Sequence, residues 1–395
     1  MTDYPRIVLK TGRERSLLAG HPWLFSGAVG KVAGHPAPGD VVAALSSRDE
    51  PLGLGFYHPG TDIAFRFLTG DVAARVDGDF WEHRMRSAAV LRERNLPVGD
   101  NACRLVNAEG DGIPGLVVDR YGDYLVMAVG SAGVEKRREE IIGALAAAYA
   151  PRGILERSEG PARHLEGLAD RQTTAWGETP PPSIAIRENG LAFEVNVHTG
   201  QKTGFFLDQR DYRRWIEKLS RGLTVLNCFS YTGAFSVYAA RGGATRVVSV
   251  DTSETANEAA RRHLQANGFS PAAHPVFRED VFRYLRNTEE TFDLIILDPP
   301  AFAKSRRDVP HAARGYKDIN LQALRRLKPG GLLATFSCSN GVDEVLFEKI
   351  VLGAARDAGK SLRLLRRFAA AADHPTVLAH SEGRYLKGLL VSVLI

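Results

Sequence analysis

Residues 224–251 read TVLNCFSYTGAFSVYAARGGATRVVSVD, and this stretch decides the fold. TVLNCF is a short apolar run of the kind a buried strand needs, GAFSVYAARG has helical spacing, and RVVSVD returns to strand. The same alternation continues to the C-terminus: SETANEAARRHLQANG, PVFRED and VFRYLRN, FDLIILD followed by a long loop and INLQALRRL, GGLLATFS and VDEVLFEKIVLGAARDAG, then LRLLRRF and YLKGLLVSVLI. Apolar runs alternating with amphipathic helices predict parallel strands covered on both faces, the doubly wound α/β arrangement. Ligands of such sheets bind beyond the carboxyl ends of the strands. The informative side chains are therefore those that directly follow each strand.

Upstream the pattern differs. Residues 1–72 alternate short apolar runs with Gly and Pro punctuation, helical only around RERSLLAG, and predict a small β-rich domain. Residues 73–178 carry an arginine-rich helix (DFWEHRMRSAAVLRERN), two strands around GDGIPGLVVDRYGDYLVMAV, a second helix (VEKRREEIIGALAAAY) and a strand at GILERS, a middle α+β domain. Three consecutive prolines at 180–182 remove three amide donors and suit a linker. The third domain is read as 183–395, opening on a hairpin at 184–197 whose Asn189-Gly190 fits a type I′ turn. A chain of 395 residues with 44% hydrophobic and 25% charged residues is long enough for several globular cores. There is no signal-peptide pattern and no apolar run of about 18 residues, so a cytoplasmic address without membrane contact is expected. Cys103, Cys228 and Cys338 are too scattered for a disulfide framework or a zinc site. A net charge of +5 is compatible with a polyanionic partner but does not require one.

The first strand of the last domain is followed by a turn with a single glycine, Gly233, where a dinucleotide fingerprint would need GxGxxG. Gly233 allows a tight turn, and the helix that starts there offers amides to a carboxylate such as that of a methionine moiety. The second strand ends in Asp251, at the distance expected of an acid that accepts from a ribose diol. The third ends in Glu279-Asp280, placed to meet an adenine amino group. Each acid alone is as readily a helix cap; three acceptors at three successive strand ends point to a nucleoside. The fourth strand ends in Asp298-Pro299-Pro300-Ala301-Phe302, where two prolines keep the backbone extended and form a rigid lip for a substrate.

The segments VLNCFSYTGAFSVYAARGGATRVVSVDTS, LDPPAFAKS, RGYKDINLQALRRLKPGGLLATFSCS, ADHP and YLKG, preceded by GQKTGFFLDQRDYR and by HPWLFSGAV near the N-terminus, resemble the RlmI-like family of bacterial 23S ribosomal RNA cytosine-C5 methyltransferases along essentially the whole chain. The resemblance implies a PUA domain, a middle domain and a Rossmann-like class I methyltransferase domain, with S-adenosyl-L-methionine as cofactor and large-subunit ribosomal RNA as partner; a homodimer is allowed for. It carries the cofactor role onto Gln209, Phe229, Tyr231, Gly233, Asp251, Asp280 and Asp298, and the nucleophile role onto Cys338. Related cytosine methyltransferases often have a second cysteine after the proline of the Asp-Pro motif; Ala301 follows Pro300 here, so product release cannot use such a thiol.

The implied chemistry gives these residues work to do. C5 of cytosine is a poor nucleophile until a thiolate adds to C6 and pushes electrons into the ring. Cys338 follows the fifth strand, next to the strand bearing Asp298, so both can face one base. A free thiol ionises only near pH ~8.5, so nearby positive charge is needed, with Lys202, Arg210 and Lys304 as sources. Asp298 is the catalytic partner that would hold the N3/N4 edge of the base; Phe302 would stack on it, with Lys202, Arg210, Pro299, Pro300 and Lys304 lining the substrate side. Lys10, Arg13, Arg15, Arg84, Arg86, Arg92 and Arg94 could grip RNA phosphates or form a solvated face. Two other readings remain open: methylation of an exocyclic base amine, which uses a related Asp-Pro-Pro motif and no thiol, and a non-catalytic RNA-binding ribosome-assembly factor.

Overall fold

The computed structural model describes residues 4–303 and 306–394, with the side chain of Arg306 left aside. These fall into two compact units. The first runs to Gly190 and adds Val195–Asp208 and Ala372–Gly383; the second holds Leu191–Glu194, Gln209–Ala371 and the chain from Arg384 on.

The first unit begins with β1 (Arg6–Leu9), α1 (Arg15–Leu18), β2 (Trp23–Phe25), β3 (Val29–Ala33), β4 (Val41–Leu45), β5 (Pro51–Tyr57) and β6 (Ile63–Thr69). Its strands form one sheet in the order β2-β6-β5-β4-β1-β3. Then come α2 (Gly78–Asn95), β7 (Ala102–Asn107), β8 (Leu116–Tyr121), β9 (Tyr124–Val129), α3 (Ala132–Lys136), α4 (Arg138–Tyr149), β10 (Gly153–Ser158), α5 (Pro161–Leu165) and β11 (Arg171–Gly177), whose strands make a second sheet ordered β11-β10-β9-β8-β7. The helix read as continuous over VEKRREEIIGALAAAY is divided at Arg137, which leaves the helical region at φ −111°, ψ 20°. The edge strands β7 and β11 were not legible, because RQTTAWG has no clean apolar alternation.

The two sheets of this unit share a core. Phe56 of β5 lies over Trp81 of α2 at 6.1 Å between ring centres, and a Cβ on Gly133 of α3 would fall 2.1 Å from the Phe56 ring. Only glycine admits that approach.

Besides residues 183–190, two segments read from sequence with the C-terminal domain, Val195–Asp208 and Ala372–Gly383, belong to this first unit, and polar contacts explain why. Thr203 donates to Asp119 at 2.5 Å and shares a 2.8 Å hydrogen bond with Tyr121. Arg104 clamps Asp119 through Nε and Nη2, both at 2.8 Å, while its backbone N–H donates to Asp373 at 3.1 Å. Arg92 is buried, grips Asp111 through both terminal nitrogens at 2.5 and 2.7 Å, and donates to the Asp373 carbonyl at 2.8 Å. Breaking such a buried bidentate pair typically costs about 3–5 kcal/mol, which gives Arg92 a structural role and removes it from the phosphate-gripping set. Arg84 likewise donates inward to the Leu68 carbonyl at 2.6 Å. Arg86 is exposed and pairs with Glu82 one helical turn away.

Residues 184–195 form the expected hairpin of β12 (Ile184–Glu188) and β13 (Leu191–Val195). Asn189 and Gly190 both have positive φ, 50° and 78°, as a type I′ turn requires.

The second unit contains α6 (Arg210–Leu219), β14 (Thr224–Cys228), α7 (Ala234–Arg241), β15 (Arg246–Asp251), α8 (Glu254–Ala266), β16 (Val276–Arg278), α9 (Val281–Asn287), β17 (Phe292–Leu297), α10 (Val309–Arg326), β18 (Leu327–Ser337), α11 (Glu344–Asp357), β19 (Leu362–Phe368) and β20 (Lys387–Val393). Its seven strands are ordered β16-β15-β14-β17-β18-β20-β19. β14 pairs in parallel with β15 and β17, and β17 with β18. The last strand departs from the all-parallel expectation: β20 inserts antiparallel between β18 and β19. Val225, Leu226, Val247, Val248, Leu294, Ile295 and Ile296 are fully buried, as strands covered on both faces require. The order of strands reverses at β14 and β17, so the crevice for a ligand opens beyond Cys228 and Leu297.

Candidate active site

The turn after β14 carries unusual backbone strain. Phe229, Tyr231 and Gly233 have φ of 57°, 45° and 75°; two aromatic residues in the left-handed region cost roughly 1–3 kcal/mol each and persist only where the surroundings impose them. Those surroundings are visible. The Tyr231 N–H donates to Asp251 Oδ2 at 2.9 Å, the Ser230 N–H to the Val250 carbonyl at 3.1 Å, and the Gly233 N–H back to Ser230 at 2.8 Å. Behind the turn, Asn227 Nδ2 donates to Ser236 Oγ at 2.9 Å, which shares a 2.7 Å hydrogen bond with Ser249. A histidine not picked out by sequence completes the frame. His263 of α8 donates from Nδ1 to the Thr232 carbonyl at 2.8 Å and accepts the Glu194 N–H at Nε2 at 2.9 Å. Burial lowers its pKa and keeps the ring neutral, which this pair of bonds demands.

Gly233 is required twice over. Besides its positive φ, a Cβ there would lie 2.7 Å from Ala260 Cβ, so α7 could not start so close to α8. Gly233→Ala is expected to destabilise the protein by about 2–4 kcal/mol and to lower the melting temperature by several degrees, read by calorimetry; a shift under one degree would contradict the packing argument.

Asp251 accepts from Tyr231 and, at Oδ1, from the Ser253 N–H at 2.9 Å. It thereby ties the β14 turn to the end of β15. Asp280 caps α9, accepting the Arg283 N–H at 2.9 Å on Oδ1, and its side chain is exposed. Cap and nucleoside acceptor are compatible, because the cap uses one oxygen. Asp298, half-buried after β17, accepts a 2.7 Å hydrogen bond at Oδ2 from Nε2 of the buried Gln209, which orients the carboxylate. Gln209, Phe229, Tyr231, Gly233, Asp251, Asp280 and Asp298 thus all belong to the second unit, and the strand-end residues among them lie along its carboxyl edge.

Cys338 is half-buried and follows β18 between two fully buried serines. Ser339 Oγ accepts the Ala303 N–H at 3.1 Å and shares a 3.0 Å hydrogen bond with the Tyr316 hydroxyl. The turn carrying the thiol is therefore fastened to the loop that follows Asp298-Pro299-Pro300. Leu297 pairs with Thr335 in the β17–β18 ladder, so Asp298 and Cys338 emerge from adjacent parallel strands at the same edge. Cys103 and Cys228 are buried, and burial drives the Cys228 thiol far above its ordinary pKa, which makes both packing residues.

Other substrate-side expectations fare differently. Pro299 is buried and Pro300 exposed. Phe302 is partly buried: its ring lies 4.6 Å from that of Tyr316 and 6.2 Å from that of Phe282, packed against the core cluster of the unit. Arg210 is 3% exposed in the first turn of α6, inside the unit. Lys202 belongs to the first unit, where Nζ pairs with Asp208 at 2.7 Å above the Phe206 ring. Lys304 lies outside the described residues. No group of three or more metal-ligating side chains and no helix long and apolar enough to cross a membrane occurs among the described residues.

Comparison with known proteins agrees with this geometry. Residues 164–391 match the model of an S-adenosylmethionine-dependent methyltransferase family, and residues 7–70 that of a PUA-like domain. The chain is 44% identical over 389 residues to the ribosomal RNA large subunit methyltransferase I of Aeromonas salmonicida, covering 98% of each protein. It is 42% identical over 396 residues to that of Salmonella arizonae, covering 99% of this chain and 98% of the relative. Among solved structures, a SAM-dependent methyltransferase from Streptococcus mutans superposes with a TM-score of 0.84 at 26% identity, over 98% of this chain and 100% of the other. A methyltransferase solved in complex with SAH gives 0.85 at 25% identity over the same shares. The chain is thus an S-adenosylmethionine-dependent enzyme and belongs to the family of the ribosomal RNA large subunit methyltransferases I.

Proposed function

We propose that the protein methylates C5 of a cytosine in large-subunit ribosomal RNA, with Cys338 as the nucleophile that activates the base. The observation that carries this reading is the fastening of the half-exposed Cys338 turn, through Ser339, Ala303 and Tyr316, to the loop after Asp298. A thiol serving only as packing would not need to be half-exposed between two buried, hydrogen-bonded serines.

The β14 turn, Asp251 and Asp280 would hold the cofactor, and S-adenosylmethionine would supply an electrophilic methyl group. The Cys338 thiolate adds to C6 of the target base, and the electron pair released toward C5 makes that carbon nucleophilic. Asp298, oriented by Gln209, receives the N3/N4 edge; with N3 protonated, its carboxylate pairs with that N–H, and the electron density pushed in from sulfur is neutralised at N3. Once C5 carries the methyl group, its proton passes to solvent water, the C5–H electron pair forms the C5–C6 double bond, and the C6–S bond breaks with its electrons returning to sulfur, restoring the aromatic base and the thiolate.

The test incubates the protein with labelled cofactor and large-subunit RNA containing 5-fluorocytosine. Fluorine cannot leave as a cation, so the enzyme should remain covalently attached to the methylated base, and Cys338→Ala should abolish the adduct. Methylation without an adduct, undiminished in Cys338→Ala, would establish exocyclic amine chemistry in place of this mechanism. Cofactor binding with no transfer to any RNA would favour the assembly-factor reading.

A further inference from the structure

Lys387 opens β20, opposite Ser337 in the ladder with β18, and is 4% exposed. A buried ammonium is costly unless charge or hydrogen bonds compensate it. Here Nζ donates to the Ser339 carbonyl at 2.7 Å, one residue past Cys338. The charged and titratable groups around the amine come from three elements. Cys338 faces it from the turn after β18, Asp343 and Glu344 face it from the start of α11, and Tyr316 of α10 meets the same turn through Ser339 while sensing the Cys338 sulfur. The lysines and arginine considered from sequence, Lys202, Lys304 and Arg210, did not include this one, because KGLLVSV reads as an ordinary terminal strand.

We propose that Lys387 is the positioning residue that sets the charge state of Cys338, its buried ammonium, fixed on the Ser339 carbonyl one residue away, favouring the thiolate over the thiol. The inference rests on the reading of Cys338 as nucleophile. The step is an ionisation: the thiol proton passes to solvent and leaves a thiolate beside the ammonium, with no change of oxidation state. When the C6–S bond later breaks, the sulfur returns with its electron pair beside the same cation. Burial, the largest influence, outweighs the three anionic neighbours and lowers the amine from its ordinary value to about 8. At neutral pH the amine is therefore still mostly protonated, so the cation is in place when the thiol ionises.

The experiment follows the pH dependence of iodoacetamide alkylation at Cys338 in the full-length protein, between about pH 5.5 and 10, with the modified peptide identified by mass spectrometry. Buried Cys103 and Cys228 serve as internal controls for folding. The wild-type midpoint should lie at least about one unit below that of a free thiol. Lys387→Met should raise it by about one unit or more and slow alkylation about tenfold near neutral pH, whereas Lys387→Arg, which keeps the cation, should leave the midpoint low. A wild-type midpoint at or above ~8.5, or an unchanged midpoint in a folded Lys387→Met, overturns the proposal. The wild-type profile alone decides if the methionine variant does not fold. The fluorocytosine experiment separates the two claims: a low thiol midpoint together with undiminished methylation by Cys338→Ala would sink the cytosine mechanism and leave the lysine–thiolate pair standing.

Discussion

Cys338→Ser should lower the rate of methyl transfer to large-subunit RNA by about 10⁴-fold or more, the scale seen when an enzyme loses its nucleophile, while binding of S-adenosylhomocysteine changes less than about twofold. The substitution replaces sulfur by oxygen at a half-buried position whose neighbours are already hydroxyls, so the Ser337–Ser339 frame and the Tyr316 contact survive. What it removes is ionisation. A serine hydroxyl beside the same lysine stays neutral near pH 7, and a neutral alcohol does not add to C6. Single-turnover transfer of a tritiated methyl group measures the rate, and calorimetry measures the cofactor affinity. A rate within tenfold of wild type would move the chemistry from the thiol to Asp298-Pro299-Pro300 and the base amine; a parallel collapse of cofactor binding would mean the serine had disturbed the sheet edge instead.

That both halves of this prediction could be framed from sequence reflects how a doubly wound sheet stores its information. Buried strands of four to seven apolar residues announce themselves, and the residue after each strand must lie at the ligand edge, so Asp251, Asp280, Asp298 and Cys338 could be placed there from sequence, while the nucleophile role of Cys338 came from the family resemblance. What escaped was set by packing across the chain. Lys387 and His263 lie in segments whose local pattern is an ordinary strand and an ordinary amphipathic helix; only the pairing of β20 with β18, and of α8 against the β14 turn, gives their nitrogens a carbonyl to meet. Phe302 shows the limit in the opposite sense. Its place after two prolines pointed to a presented aromatic, yet Gly315 on α10 leaves a hollow in which a Cβ would come 3.2 Å from the ring, and the ring fills it. Arg92 shows the same limit for charge: helical spacing cannot distinguish an arginine turned to solvent from one clamped on Asp111 sixteen residues beyond the helix end.

The strained turn after β14 supplies the second large effect. Asp251→Ala should weaken binding of S-adenosylhomocysteine by at least about 30-fold, or about 2 kcal/mol, because one carboxylate does two jobs. Its Oδ2 holds the Tyr231 amide and its Oδ1 the Ser253 amide, each at 2.9 Å. Without them, Tyr231 has lost the bond that holds it at φ 45°, and the backbone relaxes toward the ordinary regions. The turn that receives the cofactor is then no longer preformed, and part of the binding energy goes into rebuilding it. The same substitution deletes the acceptor read as meeting the ribose diol, where loss of a hydrogen bond to a charged group costs a further ~1.5–3 kcal/mol. Asp251→Asn separates the contributions. It keeps an acceptor oxygen for one backbone amide but places an NH2 against the other, so its affinity should fall between wild type and alanine. Isothermal titration of the three proteins decides the matter. If alanine binds within threefold of wild type, the carboxylate neither shapes the turn nor meets the nucleoside, and the acids at the other strand ends lose their strongest support. If asparagine binds as weakly as alanine while melting like wild type, the carboxylate acts on the ligand by its charge, and the strain at Tyr231 is borne by the remaining frame of Ser230, Gly233 and His263.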